Sequence, residues 1–444
     1  SEINMKETIL QFGTGNFLRG FVDYFVDSMN KQGLYGGKIV VVSPTDSKTV
    51  SKINQQNGKY NLIIRGLENG NPICKRTETE AISRAVNPYA SFEEYLHIAH
   101  NPDLRFVISN TTEAGIAFDE KCKLTDQPAS SFPGKLTQLL YERYKAKLPG
   151  VTVFACELID NNAQQLKKCV LEYARLWKLE SEFIYWLENE NTFCNTLVDR
   201  IVTGYPKDEA ESIFREIGYR DELLDTAEPY HLWAIEGDFE KDLPLQKAGF
   251  NVIWTNDIRP YKKMKVRILN GAHTALVFPS LLCGIETVGE SLKDEQLNAF
   301  LHQCLFKYIL PNLPDTDKAK DFATAVLERF ANPYIQHLWK SISLNSVSKF
   351  KARVLPTVND CLNKNNAPKT LAFSLACLIE YYKNNNVSDE QSAVEYIKSN
   401  SIEAILANTA LWGQDLSCIY DIVGTSTEKI HKGGIREALQ WSML

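Results

Sequence analysis

Residues 8–12 (TILQF) make an apolar, strand-like run that ends in Gly13-Thr14-Gly15, and a helix-periodic stretch opens directly behind it. Within residues 17–30, Phe17, Phe21, Tyr24, Phe25 and Ser28 recur at helical spacing. Residues 38–42 (KIVVV) then return as a second strand after a glycine-containing loop. Strand, helix and strand over so short a stretch form a βαβ unit, which commits this part of the chain to a parallel sheet. Residues 106–109 (FVIS), 151–156 (VTVFAC) and 250–254 (FNVIW) read as further strands, with a helix over 136–148.

From about Tyr261 the pattern changes. Residues 264–285, 294–310, 317–330, 333–343, 368–384, 388–408 and 426–442 carry helical periodicity, and short Asn-rich connectors separate several of them. The expected architecture is an α/β domain over residues 1–260 followed by an all-α domain over 261–444. A length of 444 residues suits two or three domains, and 44% hydrophobic composition excludes a largely disordered chain. Forty-nine basic against 55 acidic residues give a charge of −6, which argues against a nucleic-acid partner. No apolar passage reaches the ~20 residues of a membrane span, and no leader pattern stands at the start. The ten cysteines include no C-x-x-C pair and read as reduced core thiols, so a cytoplasmic location is expected.

The glycine turn is the first functional candidate. Gly13 permits a tight turn, Gly15 lets a pyrophosphate approach the backbone, and the following helix start offers unpaired N–H groups. The third glycine of G-x-G-x-x-G is replaced by Leu18, with Gly20 two residues later. A plain turn would need the same glycines, but a strand-to-helix setting is the one the dinucleotide fingerprint requires. Gly13, Gly15, Asn16, Phe17 and Arg19 are the cofactor-binding candidates here. The second strand ends in VSPTD, so Asp46 is either a ribose ligand or a turn residue, and NAD against NADP stays open at this position.

The second candidate opens the helical half, in YKKMKVRILNGAHT. On an α-helix, Lys265, His273 and Asn270 fall at about 0°, 80° and 140°, so all three can face one side. A solvated basic face leading into a core helix is the bland alternative. Oxidising a secondary alcohol needs a base for the hydroxyl proton, a hydride acceptor and donors for the developing alkoxide. A lysine whose pKa falls through burial or neighbouring cations, such as Lys262, Lys263 and Arg267, can be that base. An Asn amide and a His N–H can hold the oxygen. The seven histidines and ten cysteines show no zinc spacing, so no metal is expected.

Taken together, FGTGNFLRG, NTTEAG, ACELIDNN and KVRILNGAHTAL resemble the polyol-specific long-chain dehydrogenases, the mannitol dehydrogenase family. The resemblance implies a Rossmann-like N-terminal domain, an all-α C-terminal domain and NAD as cofactor. It makes Lys265 the general acid/base, with Asn270 and His273 placing the reacting oxygen. It also implies that Asn110, Thr112 and Glu113 lie beside the nicotinamide. Asn162 is the candidate second oxygen-holding asparagine, although this chain reads Cys156-Glu157-Leu158 where the mannitol branch has CDN, and Asn161 is an alternative. His231, Lys349 and Arg353 are the substrate-side candidates, the last two suited to a carboxylate. Glu228 and Trp233 share the AEPYHLWAIE loop with His231, and a structural role for Trp233 and a solvated cationic helix are the corresponding bland readings.

The branch resembled most is the one that reduces hexuronates, which implies NADH-dependent reduction of D-tagaturonate to D-altronate, a small-molecule sugar-acid partner and no metal. Reduction of D-fructuronate or oxidation of a mannitol-type polyol would use the same apparatus. A dinucleotide sensor without catalysis is the reading from a different class, and the intact Lys265, Asn270 and His273 speak against it. The oligomeric state stays open, with a monomer compatible with the absence of a coiled-coil seam.

Overall fold

The computed structural model describes residues 5–444. It divides into two compact units: one runs up to Arg65 and resumes over Pro72–Arg259, the other combines Gly66–Asn71 with Pro260–Leu444. Residues 66–71, expected inside the first domain, thus group with the second.

The strands are β1 (Lys6–Phe12), β2 (Gly37–Val42), β3 (Tyr60–Glu68), β4 (Asn71–Thr79), β5 (Ile82–Val86), β6 (Phe106–Ser109), β7 (Thr152–Ala155), β8 (Thr192–Asp199), β9 (Asp225–Ala227), β10 (Leu232–Glu236) and β11 (Val252–Thr255). Eight form one sheet in the order β11-β10-β8-β7-β6-β1-β2-β5, and β4-β3-β9 form a second. Neighbours in the large sheet run parallel except β8 and β10. This is the expected Rossmann-like α/β architecture.

Successive residues of the inner strands feed opposite faces, as the pleat demands. Ile9, Ile39, Val41 and Ile108 enter one buried cluster, while Leu10, Val40, Val42 and Val107 enter another. A sheet apolar on both faces needs a helical layer on each. Phe25, Val26 and Met29 of helix Val22–Lys31 cover the first face, and Leu136, Leu139 and Leu140 of helix Phe132–Lys145 the second. Burying each such side chain contributes about 1.5–3 kcal/mol. That packing holds the strand ends still enough to carry loops. The chain leaves β1 for β2 on one side and later returns to β6 on the other, so the loops diverge above β1 and leave a crevice there.

The single helix expected over residues 17–30 is two helices, Asn16–Arg19 and Val22–Lys31. Between them stands Gly20, where a Cβ would lie 3.0 Å from Val202 and 3.2 Å from an Asp225 carboxylate oxygen. Gly20 therefore supplies the close packing usually assigned to the third fingerprint glycine, two positions later than expected.

In the second unit, helices Gly271–Leu282 and Lys369–Asn384 are mostly buried, and Ser374 Oγ donates to Ala275 O at 2.7 Å. The helix expected from 264 begins as Arg259–Met264, widens into a π-helical turn over Lys265–Asn270 and continues as Gly271–Leu282. Of the helix expected over 333–343 only Trp339–Ile342 forms, and 388–408 divides into Gln391–Ser399 and Ile402–Ala407. The short piece Gly66–Asn71 is seated by Glu328, whose carboxylate accepts the Asn69 and Gly70 N–H groups at 3.2 and 2.9 Å.

Candidate active site

Above β1 lies a pocket of about 490 Å³, lined by Gly13–Leu18 residues at the β1 end, Pro44 and Thr45 at the β2 end, and Asn110, Thr111 and Thr112 at the β6 end. Ala114, Gly115, Ala117 and Ser130, Ser131 and Phe132 complete the wall. Gly13 has φ +135°, and a Cβ there would stand 2.6 Å from Asn110 O, so only glycine fits where the two loops meet. Gly15 differs. Its backbone is ordinary (φ −75°, ψ 174°), yet a Cβ would meet nothing within 4 Å. Space is kept free beside Gly15, as an approaching ligand requires.

Six of the eight cofactor candidates line this pocket: Gly13, Gly15, Asn16, Phe17, Asn110 and Thr112. Arg19 does not. It is 5% exposed and turns inward, its guanidinium donating to Thr14 O at 2.6 Å and Asn16 Oδ1 at 2.7 Å. It braces the turn from beneath. Glu113 is exposed and lies outside the lining. The helix behind the turn has only four residues, too few to sum much of a macrodipole, so its free N–H groups are what remains to attract an anion.

Two further candidates have their polar atoms spent. Asn162 is 1% exposed; its amide donates to Glu157 O at 3.1 Å and Thr196 O at 2.9 Å, and its Oδ1 accepts the Ala163 and Thr196 N–H groups. It clamps the β7 end to β8 and has no donor left for a substrate oxygen. His231 lies against Phe25 and Phe250. Its Nδ1 pairs with Pro229 O at 3.1 Å and its Nε2 accepts the Asn251 N–H at 2.9 Å. Burial first, then Arg200, lowers its pKa to about 4, so it is a neutral structural pin between β10 and β11.

In the second unit, Lys265 opens the π-helical turn and Asn270 closes it. An i→i+5 turn needs about five residues to come round, so Asn270 stands nearer to Lys265 than α-helical spacing would put it. Gly271 follows, and a Cβ there would be 3.2 Å from Arg353 O, so helix Ser346–Arg353 ends directly against this stretch. His273 stacks on Phe330 at 4.2 Å and 12°, with His337 edge-on at 5.5 Å. Burial, then His337, Arg329, Arg353 and Lys349, hold its pKa well below 6.5, so the ring is neutral near pH 7. Neither its nitrogens nor the Asn270 amide bonds to another described residue. That separates His273 from His231.

The cations around it are unequal. Arg267 is spent, donating to Thr357 Oγ1 and Asp360 Oδ2, both at 3.0 Å. Arg353 makes one long contact, Nη1 to Thr274 Oγ1 at 3.5 Å, and Lys349 Nζ donates to Ile342 O at 2.9 Å. Burial lowers the pKa of both; for Lys349 the neighbouring Arg353 adds to it and Asp389 opposes it. A cation in such a place gains from an anionic partner.

Two family models match the chain: the Mannitol dehydrogenase Rossmann domain over residues 7–247 and the Mannitol dehydrogenase C-terminal domain over residues 257–432. The chain belongs to the mannitol dehydrogenase family. An altronate oxidoreductase of Bacillus subtilis (strain 168) is 40% identical over 455 residues, spanning 98% of this chain and 95% of the relative. One of Yersinia enterocolitica is 41% identical over 465 residues, spanning 98% and 96%. Among solved structures, a substrate-free D-sorbitol dehydrogenase shares the fold with TM-score 0.86 and 24% identity, covering 98% of this chain and 95% of its own. Pseudomonas fluorescens mannitol 2-dehydrogenase, solved with NAD and D-mannitol, gives 0.70 and 21%, covering 99% and 94%. This member of the mannitol dehydrogenase family is an oxidoreductase, as expected.

Sequence reasoning passed over two buried polar residues of this mannitol dehydrogenase relative. Glu157, just past β7, is 4% exposed and receives Ser109 Oγ at 2.9 Å, Thr111 N at 2.9 Å and Thr111 Oγ1 at 3.2 Å. Burial raises its pKa above 4.5 while those donors oppose the shift. Arg200, just past β8, donates to Gly20 O and Glu228 O, both at 2.8 Å. A charged residue immediately after a buried strand was the available signal for both.

Proposed function

We propose that the chain reduces D-tagaturonate to D-altronate with NADH, reversibly and without a metal, using Lys265 as general acid/base. What carries the reading is the polar set of the second unit: a neutral His273 and the Asn270 amide, both with open hydrogen-bonding groups, in the same helical run as Lys265. Support also comes from altronate oxidoreductases about 40% identical over nearly the whole chain. The family alone leaves the substrate open, since one fold hosts several chemistries.

The residues present fit a nicotinamide dinucleotide. Gly13 allows the turn, Gly15 leaves room beside its backbone, and the N–H groups after it lack helical partners. The bound dinucleotide supplies the hydride. Asp46 stands beside Thr45 of the pocket wall, its Oδ1 held by Asn87 Nδ2 at 2.7 Å. A fixed carboxylate there accepts a ribose hydroxyl and repels a 2′-phosphate, which favours NAD over NADP.

In the reducing direction the keto oxygen accepts hydrogen bonds from the Asn270 amide and the N–H of neutral His273. Both strengthen as the oxygen becomes negative, which is the difference that accelerates a step. Lys265 gives its proton to that oxygen as the alcohol forms, and takes it back in the reverse direction. Arg353 and Lys349 hold the substrate carboxylate, which separates a uronate from a neutral ketose.

The test is loss of NADH absorbance on adding D-tagaturonate, D-fructuronate and D-fructose separately, repeated with NADPH. Fastest turnover is expected with NADH and D-tagaturonate. Preference for D-fructuronate or for D-fructose would overturn the substrate assignment, and no oxidation of either dinucleotide with any of the three would overturn the enzymatic reading.

A further inference from the structure

We propose that Glu157 is a positioning residue for dinucleotide binding: its carboxylate fixes, through Ser109 and Thr111, the loop that walls the pocket at the β6 end. The inference rests on reading that pocket as the dinucleotide site. Asn110, Thr111 and Thr112 line it, whereas Glu157 lies behind them and does not.

The geometry is that of a carboxylate used only as an acceptor. Oε1 takes the Ser109 hydroxyl, and Oε2 takes both the N–H and the hydroxyl of Thr111. All three partners donate, and the ionised acid satisfies the whole set. A glutamine oxygen could still serve Thr111, but its NH2 would force the Ser109 hydroxyl to accept instead of donate, and the charge that strengthens all three bonds would be lost. Glu157 is itself held from behind, since its carbonyl accepts the Asn162 amide at 3.1 Å. The loop in turn touches the glycine turn: Asn110 N donates to Phe12 O at 3.0 Å, and Asn110 O fills the place a Gly13 side chain would take. Anything that lets residues 110–112 drift therefore moves two walls of the pocket together. A buried charge is costly to keep in an apolar sheet end, and here it is spent on a loop without regular structure that the fold otherwise ties by backbone contacts and by Asn110 Nδ2 to Cys156 O at 3.0 Å.

The experiment is a fluorescence titration of NADH into wild type, Glu157→Gln, Glu157→Asp and Ser109→Ala, with melting curves of each ligand-free protein and KM and kcat for NADH. Glu157→Gln should weaken NADH about tenfold or more, the scale of hydrogen bonds to a charged group. KM for NADH should rise with it while kcat at saturation stays within about threefold, and Glu157→Asp should recover part of the affinity. Ser109→Ala removes one donor outside the pocket wall and should weaken NADH about two- to fivefold. Folded Glu157→Gln with wild-type affinity overturns the proposal, as does a loss that falls on kcat and melting temperature and leaves KM unchanged. If Glu157→Gln does not fold, unchanged affinity in Ser109→Ala overturns it. A wild type that binds no NADH overturns the cofactor reading and this proposal with it, whereas unaltered binding in the variants overturns the positioning role alone.

Discussion

Gly15→Ala separates a requirement of the fold from a requirement of the ligand. At this position the backbone is extended and available to any L-residue, and the added methyl would meet no protein atom within 4 Å. Two opposing terms act on stability. Removing a glycine from the unfolded chain stabilises by about 0.4–1 kcal/mol, while alanine is a poorer helix N-cap by a similar amount. They nearly cancel, and for a unit of this size a residual of 1 kcal/mol shifts the melting temperature by only about 2–4 °C. The methyl does stand in the pocket, however. Overpacking a close contact costs about 1–3 kcal/mol, which corresponds to roughly 5- to 150-fold weaker binding of NADH. Calorimetric melting of the ligand-free protein and titration of NADH fluorescence read the two quantities separately. Gly13→Ala is the control: its positive φ and the 2.6 Å approach to Asn110 O predict loss of both stability and affinity. Wild-type affinity in Gly15→Ala would refute the idea that a ligand passes along Gly15. A fall in melting temperature of 10 °C or so would refute the free space itself.

Lys265→Ala should lower kcat by about 10²–10⁴-fold, measured as NADH consumption, and leave the NADH dissociation constant unchanged. Arg353→Gln should raise KM for the keto-uronate by about tenfold or more in steady-state kinetics, with NADH binding intact. His231→Gln tests the pin between β10 and β11. The pKa of His231 falls from 6.5 unfolded to about 4 folded, so between those values the unfolded chain binds more protons and stability drops as pH falls. Melting temperature against pH should be flatter over that window in the variant.

The βαβ start and the change to helices near residue 260 were legible because each is local: periodicity needs no partner. What was not legible depends on partners far along the chain. β3 pairs with β9 more than 150 residues away, Leu62 opposite Asp225, and nothing in either segment names the other. Chemistry-bearing residue types misled for the same reason. Asn162, His231 and Arg19 have suitable side chains, but their polar atoms are taken by Thr196, Asn251 and Thr14. His273 has the same ring as His231 and differs only in what surrounds it. The break at Gly20 was hidden by a helical pattern that continues through it in the aromatic residues.

The seating of Asn69 and Gly70 on Glu328 bears on how such chains can be recombined. A graft that exchanges everything after residue 259 with a relative would carry Glu328 but leave its two backbone donors behind, on a hairpin tip inherited from the other parent. Keeping that contact within one parent takes three cuts, twice around Gly66–Asn71 and once before Pro260.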